Sequence, residues 1–161
     1  MTVINTTRNA EDLEFSIVAE FDAKVERVWQ IWEDPRQLER WWGPPTWPAT
    51  FELLEFVNGG KANYYMTGPD GEKARGWWQF TAVDAPTSLS FDDGFADDNW
   101  EPVDSLGVTK CSVTLEDIDG RTRMTTTSRF ESADQMQKMI EMGMEEGMGL
   151  AMGQIDEILA A

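Results

Sequence analysis

The sequence contains no histidine and only one cysteine, Cys111, among its 161 residues. The absence of histidine excludes His-based catalytic triads and histidine general bases, and it removes the commonest zinc ligand. A single cysteine cannot form an internal disulfide, so nothing in the chain requires an oxidising compartment. Any acid–base chemistry would therefore depend on Asp, Glu, Tyr or Arg.

Basic residues are also scarce: 13 Lys and Arg stand against 30 Asp and Glu, for a net charge of −17. Nucleic acid and anionic membrane surfaces would repel such a chain, so neither is expected as a partner. No apolar run approaches the roughly 18 residues of a membrane span, and residues 1–15 lack a signal-peptide pattern. These features predict a cytoplasmic, acidic globular protein, and the length suits a single domain with a proper core.

Aromatic residues and methionine are plentiful, with 8 Trp, 8 Phe and 9 Met. Trp and Phe bury large areas and should supply the core. Methionine is flexible and polarizable, so it fills core gaps or lines surfaces that adapt to varied apolar partners. Both interpretations of the methionines remain open at this point.

The first predicted elements are a strand and two helices. Apolar residues alternate over residues 13–21, which predicts a half-buried strand. Asp22 is a candidate N-cap for a helix over residues 25–32, and Pro35 is well placed to begin a second, short helix.

Alternation then returns and predicts six further strands, separated by turn residues. These strands cover residues 51–57, 61–67, 73–83, 88–91, 108–116 and 121–130. Residues 132–161 are predicted to form one long helix with Ser132 as its cap. Its glycines predict close packing against the sheet or a helix that gives way; they are Gly143, Gly147, Gly149 and Gly153. The fold class is therefore α+β, with a curved antiparallel sheet of about six to seven strands around a C-terminal helix.

One segment carries a family resemblance. Residues 25–44, VERVWQIWEDPRQLERWWGP, resemble the START-like (SRPBCC) superfamily, in the branch related to the C-terminal domain of activators of the heat-shock-protein-90 ATPase. The turns at residues 58–60 and 68–71 and the helix at residues 147–160 resemble the same family, over about residues 12–160. The resemblance implies one START-like domain over residues 1–161 with a helix-grip fold, in which the helix closes a hydrophobic cavity over the sheet.

Two positions depart from the family's pattern. Met148 stands where the family usually has Trp, and Val57 stands where Arg is frequent. Both differences should make the interior more adaptable and less charged.

Inward-facing positions of the strands and the C-terminal helix are the candidate cavity lining. They are Trp41, Trp42, Tyr64, Met66, Trp78, Phe80, Cys111, Thr126, Ser128, Met144, Met148 and Met152. The alternative for each is ordinary packing of helix on sheet, and Trp41 and Trp42 either gate the cavity or plug the end of the sheet. Cys111 is expected to be an inert buried thiol, because no histidine exists to activate it. No catalytic residue, metal site or cofactor is predicted.

Residues 92–107 are predicted to form an acidic, turn-rich loop. Its carboxylates do not match the spacing of a calcium-binding loop, so a solvated loop is expected; they are Asp92, Asp93, Asp97, Asp98, Glu101 and Asp104. The remaining polar residues that might face inward are Glu52, Glu55, Asn63 and Arg129.

Three functions compete. The favoured one is binding of a hydrophobic or aromatic small molecule in the cavity, without assured catalysis. The resemblance also implies a co-chaperone role on a heat-shock chaperone ATPase, and some START-like relatives suggest a polyketide-cyclase-like enzyme. The expected partner is therefore an apolar small molecule, with a chaperone or a second copy of the chain as alternatives.

Overall fold

The computed structural model describes residues 3–103, 105 and 107–160. Within those residues a nine-stranded sheet is covered by five helices. The strands are β1 (Val3–Asn9), β2 (Glu14–Phe21), β3 (Ala49–Leu54), β4 (Lys61–Thr67), β5 (Lys73–Asp84), β6 (Ser88–Ala96), β7 (Pro102–Val103), β8 (Thr109–Ile118) and β9 (Arg121–Arg129). The helices are α1 (Val25–Glu33), α2 (Pro35–Leu38), α3 (Ala133–Glu141), α4 (Met144–Met152) and α5 (Ile155–Ala160).

The sheet is antiparallel, curved and unclosed, in the order β1-β2-β9-β8-β6-β5-β4-β3, with β7 paired to β6. The predicted α+β helix-grip fold is confirmed. The described strands outnumber the six to seven predicted, because β1 and β7 were missed. The β1 sequence VINTTRN is mostly polar and lacks clean alternation, and β7 has only two residues, so neither carries a periodic signal.

The predicted acidic loop begins too early. β6 continues through Ala96, so the predicted loop start at Asp92 is wrong. Asp93 pairs with Trp78 on β5 and with Thr109 on β8. Pairing on both edges satisfies the backbone of this stretch, and that outweighs the poor strand propensity of Asp and Gly. Asp104 lies outside the described residues.

The start of α1 also differs from the prediction. Lys24, without a side-chain hydrogen bond, is the N-cap in place of Asp22, because two bent residues follow Phe21 before the helix begins. Pro35 does begin α2, and the Asp34 carboxylate accepts a hydrogen bond from the backbone N–H of Arg36. α1 buries its apolar face, including Trp29 and Trp32, against β8, β9 and α5.

The single long C-terminal helix is a further correction: residues 133–160 form three helices. The chain breaks at Gly143, whose φ of +84° is a left-handed conformation that favours glycine. A second break follows α4, where Gly153 is the C-cap. Ser132 does cap α3, since its hydroxyl accepts a hydrogen bond from the backbone N–H of Gln135 at 3.1 Å.

Aromatic rings fill one end of the space between helices and sheet. Trp32 lies at the centre, with its ring centroid 4.8 Å from that of Trp41. Trp78 stacks on Phe91 at 4.1 Å. The Trp41 indole N–H donates to the carbonyl of Ile31 at 3.0 Å, which fixes the loop after α2 against α1. No helix in the part of the chain described here has both the length and the apolar character needed to cross a membrane.

Candidate functional site

A cavity of about 250 Å³ lies between the sheet and the C-terminal helices, at the edge of the aromatic core. Strands β4, β6, β8 and β9 form one wall, helices α3 and α4 form the other, and the loop after α2 closes one end. Its lining consists of Trp41, Trp42, Pro44, Tyr64, Met66, Asp93, Phe95, Thr109, Cys111, Ser128, Met139, Met142, Gly143, Met144, Gly147, Met148, Ala151 and Met152. The cavity thus has an apolar helical wall and a partly polar sheet wall.

The helical wall is built from methionine and very small residues. α4 contributes Met144, Gly147, Met148, Ala151 and Met152. Its glycines at 147 and 149 have no atom within 4 Å of the position a Cβ would take. Close packing therefore does not explain these glycines. The other interpretation, that they make α4 a weakly stable helix that deforms easily, is better supported.

The polar side of the sheet wall is organised around Tyr64 and Asp93. The Tyr64 hydroxyl, on β4, donates to Oδ1 of Asp93, on β6, at 2.8 Å. These two strands are not neighbours, because β5 lies between them. Gly76 of β5 is the partner of Tyr64, and a Cβ there would lie 2.5 Å from the Tyr64 ring. The ring therefore crosses β5 only because residue 76 has no side chain.

Burial changes the acidity of the groups on this wall. It raises the pKa of Asp93 to about 7, although the hydrogen bond from Tyr64 opposes that change. It raises the pKa of Tyr64 well above its ordinary value, an effect that the charge of Asp93 reinforces. Burial likewise raises the pKa of the Cys111 thiol, which therefore stays protonated and unreactive near neutral pH.

Two strands carry hydroxyl groups beside this pair. Thr109 is directly opposite Asp93 in the β6–β8 register and is 5 % exposed, and its Oγ1 has no hydrogen-bond partner within the part of the chain that the structure describes. Ser128 is opposite Cys111 and makes only a long contact of 4.0 Å with the thiol sulfur. A buried hydroxyl without a partner is unfavourable, and a polar group placed against it inside the cavity would satisfy it.

Nine of the twelve predicted lining residues do line the cavity. They are Trp41, Trp42, Tyr64, Met66, Cys111, Ser128, Met144, Met148 and Met152. The structure places the other three, Trp78, Phe80 and Thr126, outside the lining; all three are buried in the core. Their strand alternation identified the inward face correctly but could not tell which part of that face the helices cover.

The four polar residues suggested as inward-facing do not line the cavity. Glu52, Glu55 and Arg129 are exposed, and Asn63 is half-buried. Asp93 and Thr109 are the polar lining residues that the sequence prediction missed. The available signal was alternation: Leu89, Phe91, Asp93 and Phe95 occupy every second position of β6.

No group of three or more Cys, Asp or Glu side chains suited to a metal occurs in the residues that the structure describes. Tyr64, Asp93, Thr109 and Ser128 give this wall groups for hydrogen bonding, and Asp93 can also pair with a positive charge or exchange a proton.

A family model described as "Activator of Hsp90 ATPase homolog 1-like protein" matches residues 22–160. A solution structure of a protein from Arthrobacter aurescens is 68% identical with a TM-score of 0.95, over 99% of this chain and 92% of that one. The crystal structure of protein Ms6760 from Mycobacterium smegmatis is 46% identical with a TM-score of 0.91, over 98% and 96% of the two chains. No curated protein matches.

Proposed function

The chain belongs to the activator of Hsp90 ATPase homolog 1-like family, whose START-like fold is of a ligand-binding type, and we propose that it binds a small apolar or aromatic molecule in the cavity under α4. The observation that carries this proposal is the cavity of about 250 Å³, walled by side chains that do not fill it. An apolar cavity of about 150 Å³ in another protein holds benzene. The space here suits one ring with a short substituent.

The methionines support the same proposal. Six of the nine line the cavity, namely Met66, Met139, Met142, Met144, Met148 and Met152. Unbranched thioether side chains repack at low cost and contact aromatic rings favourably. A wall of this composition tolerates ligands of several shapes.

The methionine methyl groups also provide the test. We expect 2-phenylethanol, a neutral probe of suitable size, to shift the methyl NMR signals of the six lining methionines. The signals of Met124 and Met136, which are buried outside the cavity, should stay in place. Shifts spread evenly over all methionines, or no shifts at all, would count against the proposal.

A pair of glycine variants separates cavity binding from a general effect on α4. Gly147 lines the cavity and Gly149 does not, although both lie in α4 with open space around the Cβ position. Gly147→Leu should occupy the cavity and abolish the shifts, whereas Gly149→Leu should preserve them. Native mass spectrometry of freshly purified protein would then show whether a cellular compound is bound.

The hydrogen-bonded pair Tyr64–Asp93 favours a second candidate function, proton transfer to or from a bound carbonyl compound, as in a polyketide-cyclase-like enzyme. A carboxyl group whose pKa is raised to about 7 is well matched to such a role near neutral pH. Turnover of a small polyketide panel that is lost in Asp93→Asn would support it. No turnover across the panel would leave binding as the function.

A further inference from the structure

Asp93 is a carboxyl group on the cavity wall, and no described Lys or Arg forms an ion pair with it. Among the described residues no Lys or Arg lines the cavity. The cations on the adjacent strands β5 and β8 are engaged elsewhere: Arg75 pairs with Asp98 at 2.8 Å, Lys110 pairs with Asp92 at 3.5 Å, and Lys73 lies 4.4 Å from the centroid of the Tyr65 ring. Asp93 is half-buried, and removing a carboxylate from water is unfavourable unless a positive charge or hydrogen bonds compensate for its desolvation. Tyr64 donates a hydrogen bond to Asp93, and Trp78 also lowers the pKa of Asp93, but no described Lys or Arg lines the cavity to balance the charge.

A second unsatisfied group stands beside it. Thr109 lies directly across from Asp93 on β8, and no described residue is a hydrogen-bond partner for its buried Oγ1. Both side chains face the cavity, so one group on a ligand can reach the carboxylate and the hydroxyl together. An ammonium group has three N–H donors and no acceptor, which matches two acceptor oxygens at one place.

Resting on the ligand-binding function proposed above, we propose that the ligand is an apolar amine, bound with its ammonium group between Asp93 and Thr109 and its ring or chain against the methionine wall. The aromatic rings of Trp42 and Tyr64 also line this region, with centroids 6.2 Å apart, and aromatic faces attract ammonium groups. The net charge of −17 favours approach of a cation and disfavours carboxylates and phosphates.

The proposal predicts coupling between binding and proton release. Burial raises the pKa of Asp93 to about 7, whereas an ammonium partner would favour the ionised form. The titratable groups that face Asp93 are Tyr64 on β4 and Cys111 on β8, and both have raised pKa values, so they remain protonated over this range. The described lining residues of α3 and α4 carry no charge. Amine affinity should therefore fall as the pH drops below about 7, by about tenfold per unit.

The test compares three probes of nearly equal size: 2-phenylethylamine, 2-phenylethanol and phenylacetate. We expect calorimetry at pH 8 to show the amine binding about tenfold or more tightly than the alcohol, with phenylacetate weakest. Asp93→Asn should remove the preference for the amine, measured as the ratio of the amine affinity to the alcohol affinity in the same variant. Thr109→Val should reduce the preference less, and it provides a second variant if Asp93→Asn is unstable.

The outcomes separate the two proposals. If the alcohol binds and the amine has no advantage, or if phenylacetate binds most tightly, the amine assignment is overturned and cavity binding stands. An amine preference that survives in Asp93→Asn also overturns it. If none of the probes shifts the lining methionine signals, the proposed binding function fails, and the amine assignment fails with it.

Discussion

Gly76 lies directly beneath the ring of Tyr64, so that an added Cβ would be 2.5 Å from both the Cζ atom and the hydroxyl oxygen. This relationship allows a tyrosine on β4 to reach a carboxylate on β6 across the intervening strand. A backbone position without a side chain therefore organises the polar wall of the cavity. The absence of a side chain at Gly76 thus determines whether Tyr64 can hydrogen-bond to Asp93 on the cavity wall.

Gly76→Ala should destabilise the protein by about 1–3 kcal/mol, because the methyl group overpacks against the Tyr64 ring. It should also break the hydrogen bond from Tyr64 to Asp93 as the ring moves away. Urea unfolding measures the change in free energy. In the Tyr64→Ala background the same substitution should cost much less, since the ring is gone. An equal loss of stability in both backgrounds would show that the added methyl group clashes with atoms other than the Tyr64 ring.

The cavity wall also shows where sequence reasoning succeeds and where it stops. Alternation along β4, β8 and β9 correctly placed Tyr64, Cys111 and Ser128 on the inward face. Asp93 was missed because an acidic, glycine-containing stretch resembles a loop, and only pairing on both edges makes it a strand. Such pairing joins residues far apart in the chain, so a local pattern cannot reveal it.

The C-terminal helices illustrate a different limit. The apolar stripe and the capping Ser132 were visible in the sequence, and Ser132 does cap α3. The glycines were visible too, but a sequence pattern does not state which of them adopts a left-handed conformation. Gly143 adopts that conformation and Gly147 remains helical, so the same residue type ends one helix and forms part of another.

Asp93→Asn should become more stabilising as the pH rises. The folded pKa of about 7 exceeds the ordinary value of 3.8 for an aspartic acid, so the folded protein retains a proton that the unfolded chain has lost. The stability associated with the neutral carboxyl is complete below about pH 4 and is lost as the pH rises through about 7. The free energy of unfolding of Asp93→Asn, measured relative to that of the unsubstituted protein, should therefore rise by on the order of 2 kcal/mol between pH 5 and pH 8.

Denaturant unfolding at the two pH values measures this difference. Asp70→Asn provides a control, because it removes one carboxylate from an exposed turn. A stability difference for Asp93→Asn that is the same at pH 5 and pH 8 would contradict the raised pKa.

Gly147→Ala and Gly149→Ala should each stabilise the protein by about 1 kcal/mol, because alanine favours a helix and nothing obstructs its methyl group at either position. Thermal unfolding measures the effect. Gly43→Ala is the contrasting variant: its Cβ would lie 2.0 Å from the backbone oxygen of Trp47, so it should destabilise. If Gly147→Ala and Gly149→Ala also destabilise the protein, the space around these two Cβ positions is not open.

Gln154 connects the end of α4 to the loop that closes the cavity, since its side-chain N–H donates to the carbonyl of Gly43 at 2.8 Å. Gln154→Ala should cost about 1 kcal/mol and increase hydrogen exchange at the amides of α4, because this hydrogen bond joins the helical wall to the loop carrying Trp42. Gln137→Ala, which removes an exposed hydrogen bond to Glu141 on α3, is the control and should leave α4 exchange unchanged. Faster release of 2-phenylethanol from Gln154→Ala alone would show that opening of α4 controls access to the cavity. Equal release rates in both variants would assign access to another part of the wall.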